Sequence, residues 1–288
     1  MGPVLRQIRT DLGEPDLEAP EPLDTYMDPP FGSFPPTPTQ KRIMRWFHST
    51  PLGFSRFRRA AVNRFKAERP GPVDAQLFGL KVRFHPHDNA TDAKGAVCGS
   101  CYNLDETRWI ARALSGGGVF VDVGANMGFF SLFAAKMGAV VVAIEPLPNL
   151  FERLSVNLKL NGFKAHRINE AVGPTESVIT IVPSRDLGGS SILGHGEGIE
   201  VPMRPLLNVI RDTKLDHIDA LKIDVEGWED RVLCPFFAAA PKALWPRAVV
   251  IEHSSKTKWT EDLLSQMTNI GYVRKRQNRA NALYVLRS

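Results

Sequence analysis

The chain has 288 residues, 43% of them hydrophobic, and a formal net charge of +5. That apolar share supports one well-sized domain with a buried core and excludes a chain that is disordered throughout. Three cysteines exclude a disulfide framework and fit a reducing, cytoplasmic compartment, and no apolar run approaches the roughly 20 residues of a membrane span.

Charge is unevenly spread along the chain. Residues 1–40 hold seven acids (Asp11 through Asp28) against Arg6 and Arg9, together with nine prolines. Such a segment cannot bury enough apolar surface to order itself, so it reads as a flexible acidic arm without a signal-peptide core. Residues 41–72 form a basic, partly helical segment, with nine Lys/Arg against Glu68 alone across 41–70 and aromatics interleaved. Its composition suits peripheral contact with an anionic membrane or an acidic partner. The plainer reading, which we favour, is a helical pair broken at Pro51 that packs its aromatics on the main domain, residues 73–288.

Within that domain "AQLFGLKVRF" predicts a strand or hairpin, followed by a loop, and "LDETRWIARAL" a helix ended by "SGGG". From residue 119 strands and helices alternate. "VFVDV" and "AVVVAIE" are continuous apolar runs of the kind buried on both faces of a sheet. The helix "GFFSLFAAKM" lies between them. The next helix has Pro148 near its start and Gly162 just past its end. "HRINEAV", "DALKIDV" and "RAVVIEH" read as three more strands. The predicted fold is therefore α/β, with a doubly wound, mostly parallel seven-stranded sheet. "YVRKRQ" and "NALYVL" are separated by only a few residues around Asn278–Ala280, too few for a parallel crossover, so the chain ends in an antiparallel hairpin. That ending separates it from dinucleotide dehydrogenases and matches Rossmann-like methyltransferases.

The turn in "FVDVGANMGFF" carries Gly124 and Gly128 with Asn126 between them and Asp122 two residues ahead. A dinucleotide pyrophosphate is usually held by G-x-G-x-x-G. Here a strand-end carboxylate suits an ammonium, and the glycine N–H groups suit a carboxylate, which together describe the amino-acid end of S-adenosylmethionine. Glu145, 21 residues after Gly124, ends the second strand where an acid accepts hydrogen bonds from ribose hydroxyls. Ala125, Phe129 and Pro146 flank these positions.

"VFVDVGANMGFFSL", "AIEPLPNLFERL", "INEAVG" and "LKIDVEGWEDRVL" resemble the successive motifs of the FkbM-type methyltransferase family, across roughly residues 97–286. The resemblance implies a class I, S-adenosylmethionine-dependent enzyme that methylates a hydroxyl on a sugar, glycan or small metabolite. By position it implies that Asp122, Gly124, Asn126, Gly128 and Glu145 line the cofactor. Glu170 and Ala171 would lie near the adenine, and Asp224 and Glu226 at the reaction centre. The chain departs from the family at "PLLNVI", where a Thr-Leu-Asp-like step is common.

A hydroxyl acceptor benefits from a nearby base. Asp224, Glu226 and His253, at the ends of the fourth and fifth strands, are the candidates. The insertion "VITIVPSRDLGGSSILGHGEGIEVPM" predicts two strands joined by a glycine-rich loop, with "GGSS" either a flap or a plain surface loop. "DPPF" at 28–31 matches a tetrad of amino-methyltransferases but lies in the Pro-rich arm with no strand before it. "CGSC" at 98–101 has zinc-ligand spacing, yet nothing in the sequence brings His85 and His87 to it, and no metal is assigned. The alternatives are an RNA methyltransferase, disfavoured by the absence of an RNA-binding signature, and a non-enzymatic scaffold that binds a partner through 41–70.

Overall fold

The computed structural model describes residues 29–48, 57–182 and 198–287. Helices Pro38–His48 (α1) and Arg58–Ala67 (α2) precede the hairpin Val73–Leu77 (β1) and Leu80–Phe84 (β2). Ala90–Cys98 (α3) and Leu104–Ala113 (α4) lead into an alternating run: Val119–Val123 (β3), Phe129–Lys136 (α5), Val140–Ile144 (β4), Pro148–Leu160 (α6) and His166–Ile168 (β5). Ala171–Val172 (β6), Ser177–Ile181 (β7) and Ile199–Arg204 (β8) form a small separate sheet. The chain continues through Leu206–Asp212 (α7), Ala220–Ile223 (β9), Glu229–Ala239 (α8), Ala248–Glu252 (β10), Leu263–Asn269 (α9), Tyr272–Gln277 (β11) and Asn281–Leu286 (β12).

The main sheet has seven strands in the order β11-β12-β10-β9-β3-β4-β5. Strands β10, β9, β3, β4 and β5 are parallel, and β12 pairs antiparallel with both β10 and β11. The expected terminal hairpin is thus present, with its second strand inserted between its first and the rest of the sheet. Side chains alternate across each strand, so β3 sends Phe120 to one apolar cluster and Val121 and Val123 to another. The first cluster packs under α3 to α6 and the hairpin; the second under α7, α8 and α9. Strand order reverses between β3 and β9, which opens a crevice at their carboxyl ends.

The structure corrects three readings of the sequence. The stretch after β2 is a helix, α3, rather than a loop. Asn89 caps it by accepting from the N–H of Thr91 and Asp92. Its buried side chains are small (Ala93, Ala96, Val97), so they give no strong apolar stripe. "HRINEAV" is two strands in two sheets, because the Asn169 amide donates to the carbonyls of Glu145 and Pro146 and turns the chain between them.

Of the segment read as a flexible arm, residues 29–40 are described, and they are docked on the domain. Residues 29–37 run along the hairpin, and α1 begins at Pro38. Asp74 accepts from the N–H of Gly32 and Phe34, while the Arg83 guanidinium donates to the carbonyls of Pro29 and Pro30. Asp74 and Arg83 are themselves a buried pair at 2.8 Å, with side chains 1% and 6% exposed. In the basic segment Phe47 and Phe65 are buried, whereas Trp46 and Phe57 lie at the surface. The "GGSS" loop and Pro51 fall outside the described residues. Among those residues, no helix is long and apolar enough to cross a membrane.

Truncating Asp74 to Ala leaves the Arg83 cation buried without its partner. We expect a loss of about 3–5 kcal/mol in urea unfolding, with new proteolytic cleavage between residues 29 and 37.

Candidate cofactor and methyl-acceptor site

The apolar run of β3 stops at Val123, and the chain turns at Gly124 with φ +78°. A Cβ there would lie 2.0 Å from the carbonyl oxygen of Asp224, so only glycine lets the turn meet the end of β9 this closely. Every N–H from Gly124 to Gly128 is bonded within the protein. Those of Gly124 and Ala125 donate to the Ile144 carbonyl, Asn126 to the Glu145 carboxylate, Met127 to the Asn126 side chain and Gly128 to the Ala125 carbonyl. The expected pairing of turn N–H groups with a ligand carboxylate is therefore not available at 124–128. Asn126 holds a left-handed φ of +53°, and its side chain is also tied to Asn89, the cap of α3.

Glu145 at the tip of β4 is 4% exposed and accepts from the N–H of Asn126 and Leu147. Burial pushes its carboxyl up to about 7, against the lowering effect of those two bonds. It forms part of a cleft of about 1030 Å³, open mouth included, at the carboxyl ends of β3, β4 and β9. Gly124, Ala125, Asn126 and Phe129 supply one wall. Glu145, Pro146, Glu170 and Ala171 supply another, beside the apolar Ile144, Leu150, Val172 and Ile181. Asp224 and Glu226 line the cleft from the end of β9.

Three residues expected at the site lie elsewhere. Asp122 is completely buried behind the cleft, because strand alternation turns it towards α5, where it accepts from the Ser131 hydroxyl at 2.7 Å. Gly128 is a packing position: a Cβ would come within 2.5 Å of the Leu154 side chain on α6. His253, past the end of β10, does not line the cleft, and its Nε2 is buried without a partner among the described residues. Neighbouring Glu252 accepts from Ser254 and is likewise off the wall. No group of His, Cys, Asp and Glu able to hold a metal occurs among the described residues, so "CGSC" gathers no zinc ligands there.

Glu226 sits in a second left-handed position, φ +56°, followed by Gly227 at +99°. Buried Glu229 holds this turn by accepting from the N–H of Val225 and Gly227, and Trp259 Nε1 donates to its other oxygen at 2.7 Å. Lys258 donates to the Glu226 carbonyl. Burial, helped by the neighbouring Asp224, raises the Glu226 carboxyl to about 7. With Asn103 (φ +47°), three of the five left-handed non-glycine residues among those described line this one cleft. Backbone strain of this kind concentrates where function over-determines a structure.

Sequence reasoning missed Lys222, Trp228, Thr91, Tyr102 and Asn103, all on the cleft wall. Lys222 is 3% exposed on β9, opposite Asp122 in register, and donates to Asp224 at 3.1 Å. Burial works against its charge, but Asp224 and Asp122 outweigh burial and leave it raised, a settled cation. Its signal was available: a lysine inside the apolar run "ALKIDV" must be buried and paired. Tyr102, Thr91 and Asn103 lie together on this wall. These residues come from α3 and the turn before α4, where the one motif in the sequence, "CGSC", points to a metal rather than to this cleft.

Comparisons with known proteins bear on what such a cleft holds. The family model described as the methyltransferase FkbM domain matches residues 122–274, just over half the chain. Methyltransferase sdnD of Sordaria araneosa is 31% identical over 39% of this chain and 58% of its own length. The 31-O-demethyl-FK506 methyltransferase FkbM of Streptomyces tacrolimicus is 31% identical over 46% and 62%. The chain thus spans about three fifths of these curated relatives. Among solved structures, a SAM-dependent methyltransferase from Agrobacterium tumefaciens aligns with TM-score 0.43 at 13% identity, over 77% of this chain and 72% of that one. The tRNA (uracil-54, C5)-methyltransferase of Pyrococcus abyssi aligns with TM-score 0.42 at 12% identity, over 74% and 43%.

The raised Glu226 carboxyl sets a pH dependence with a definite sign. Its folded form holds a proton that the unfolded chain gives up near 4.5, so its stabilising share is present below that value and is lost as pH rises towards 7. We expect Glu226→Gln to match the parent in melting temperature at pH 4.5 and to exceed it at pH 8, as read by scanning calorimetry.

Proposed function

The chain belongs to the FkbM methyltransferase domain family, whose cofactor is S-adenosylmethionine, and on that premise we propose that it methylates a hydroxyl of a sugar, glycan or small metabolite. One observation carries the reading. Two polar strand ends, Glu145 on β4 and Asp224 on β9, open into a single cleft otherwise walled by apolar and aromatic side chains. The residues fit the cofactor. Ile144, Leu150, Val172 and Ile181 offer an apolar slot for a base. Glu145 keeps lone pairs for two ribose hydroxyls beyond the N–H bonds it already accepts. When bound, the cofactor supplies an electrophilic methyl group on a sulfonium.

The protein's share is to bind, orient and deprotonate. Tyr102, Phe129, Phe130 and Trp228 narrow the cleft and exclude water from it. Glu226, with its carboxyl near 7 and its backbone fixed by Glu229, takes the acceptor's hydroxyl proton. Asp224, one oxygen already bonded to Lys222, turns the other towards the ligand and positions it. His253 has no part in this arrangement. An oxygen acceptor is supported by the name of the Streptomyces relative, a 31-O-demethyl-FK506 methyltransferase. Three free cysteines among the described residues support a cytoplasmic setting.

Calorimetry with S-adenosylmethionine, and NAD as control, tests the cofactor side. We expect binding of the first alone, and Glu145→Ala to weaken it by roughly 10- to 100-fold, the worth of hydrogen bonds to a charged acceptor. A radiolabel screen then offers sugars, hydroxylated metabolites and RNA. Transfer to RNA with none to the small hydroxylated compounds overturns the acceptor assignment.

A further inference from the structure

Methionine-type ligands carry a zwitterion, and the cleft has to answer both of its charges. Acids are plentiful on its wall, with Glu145, Glu170, Asp224 and Glu226 all present. Among the described residues Lys222 is the only basic side chain there. The glycine turn, the usual place to look for a carboxylate partner, is spent, since each N–H from Gly124 to Gly128 already has an acceptor inside the protein.

Lys222 has capacity left. An ammonium carries three N–H donors. The structure gives Lys222 one hydrogen-bond acceptor, Asp224 Oδ2 at 3.1 Å, and places its Nζ 4.8 Å from the Phe130 ring centroid. Asp122, opposite in register, interacts with it through charge but lies outside the 4.0 Å of a direct ion pair. The Phe130 ring belongs to the first turn of α5, whose positive dipole end faces the same part of the cleft through Phe129 and Phe130. A buried ammonium with donors to spare, set beside a helix N-terminus on a cleft wall, calls for an anionic oxygen ligand.

We propose that Lys222 receives the α-carboxylate of S-adenosylmethionine and that its partner Asp224 receives the α-ammonium, so that the protein's ion pair and the ligand's zwitterion meet head to tail. This assignment rests on the cofactor reading above and names the residues that read the amino-acid end. It also accounts for a buried lysine on a central strand. Asp122 and Asp224 hold the ammonium charged and in place, and Asp122, although off the wall, acts on the ligand through Lys222.

The test compares ligands that differ in one group. S-adenosylmethionine and S-adenosylhomocysteine carry the carboxylate; decarboxylated S-adenosylmethionine lacks it, and 5′-methylthioadenosine lacks the whole amino-acid end. Dissociation constants are measured calorimetrically on the parent, Lys222→Met and Lys222→Arg. The expected result is a loss of roughly tenfold or more for the two carboxylate ligands in Lys222→Met, partly restored in Lys222→Arg. Methylthioadenosine binding stays within about twofold in both variants, which also reports that they are folded. Decarboxylated S-adenosylmethionine binds parent and Lys222→Met alike. An equal loss for all four ligands assigns Lys222 a structural role and overturns the proposal, as does an unchanged affinity for S-adenosylmethionine in Lys222→Met. If the folded parent binds none of the four, it is the cofactor reading itself that fails.

Discussion

The contact between Gly124 and the carbonyl of Asp224 is the constraint on which the site depends. It brings the turn after β3 against the end of β9, and a single methyl group on residue 124 would force the two apart. Asn126, Glu145, Lys222 and Asp224 are grouped around that approach. The tip of β4 secures the turn from the other side, through the Ile144 carbonyl and the Glu145 carboxylate. Three parallel strands therefore end at one place, each delivering a different group: the turn from β3, an acid from β4, and Lys222 with Asp224 from β9. A parallel sheet buried on both faces permits polar chemistry at its ends far more readily than along its length. Lys222 is the exception that reaches the end from within.

Much of this was legible in the sequence because it rests on local rules. Continuous apolar runs gave the buried strands, Gly and Pro marked the helix ends, and the short gap before "NALYVL" required an antiparallel hairpin. Glu145 and Asp224 could be placed because a strand followed by a turn puts its last polar residue at the carboxyl edge. What could not be read depends on facing and on distant partners. Asp122 and Val123 are neighbours in sequence, but strand alternation sends one behind the cleft and the other onto its wall. Gly128 looked like part of a ligand turn, whereas its reason is the Leu154 side chain, 26 residues on. The docking of residues 29–37 rests on Asp74 and Arg83, which no local pattern ties to an acidic, Pro-rich segment.

The acid–base groups illustrate the same division. From sequence, Asp224, Glu226 and His253 were all candidates because all three follow a strand, with Asp224 and Glu226 preferred. The structure separates them by what their backbones do. Glu226 is held in a left-handed turn by Glu229 and Trp259, and its burial next to Asp224 raises its carboxyl into the neutral range. His253 does not line the cleft. Two residues at homologous strand ends thus acquire different chemistry from packing that lies tens of residues away.

The order of the last strands has a consequence for how the molecule behaves among its own copies. Because β12 is slotted inward, the strand left at that border of the sheet is β11, and it carries Arg274, Lys275 and Arg276 with its pairing register broken between 274 and 276. The opposite border is β5, only three residues long. Open borders invite further strands, and these two are closed to them by like charge, by a kink and by brevity. A sheet assembled this way can remain discrete at high concentration without a second subunit to cover its margins.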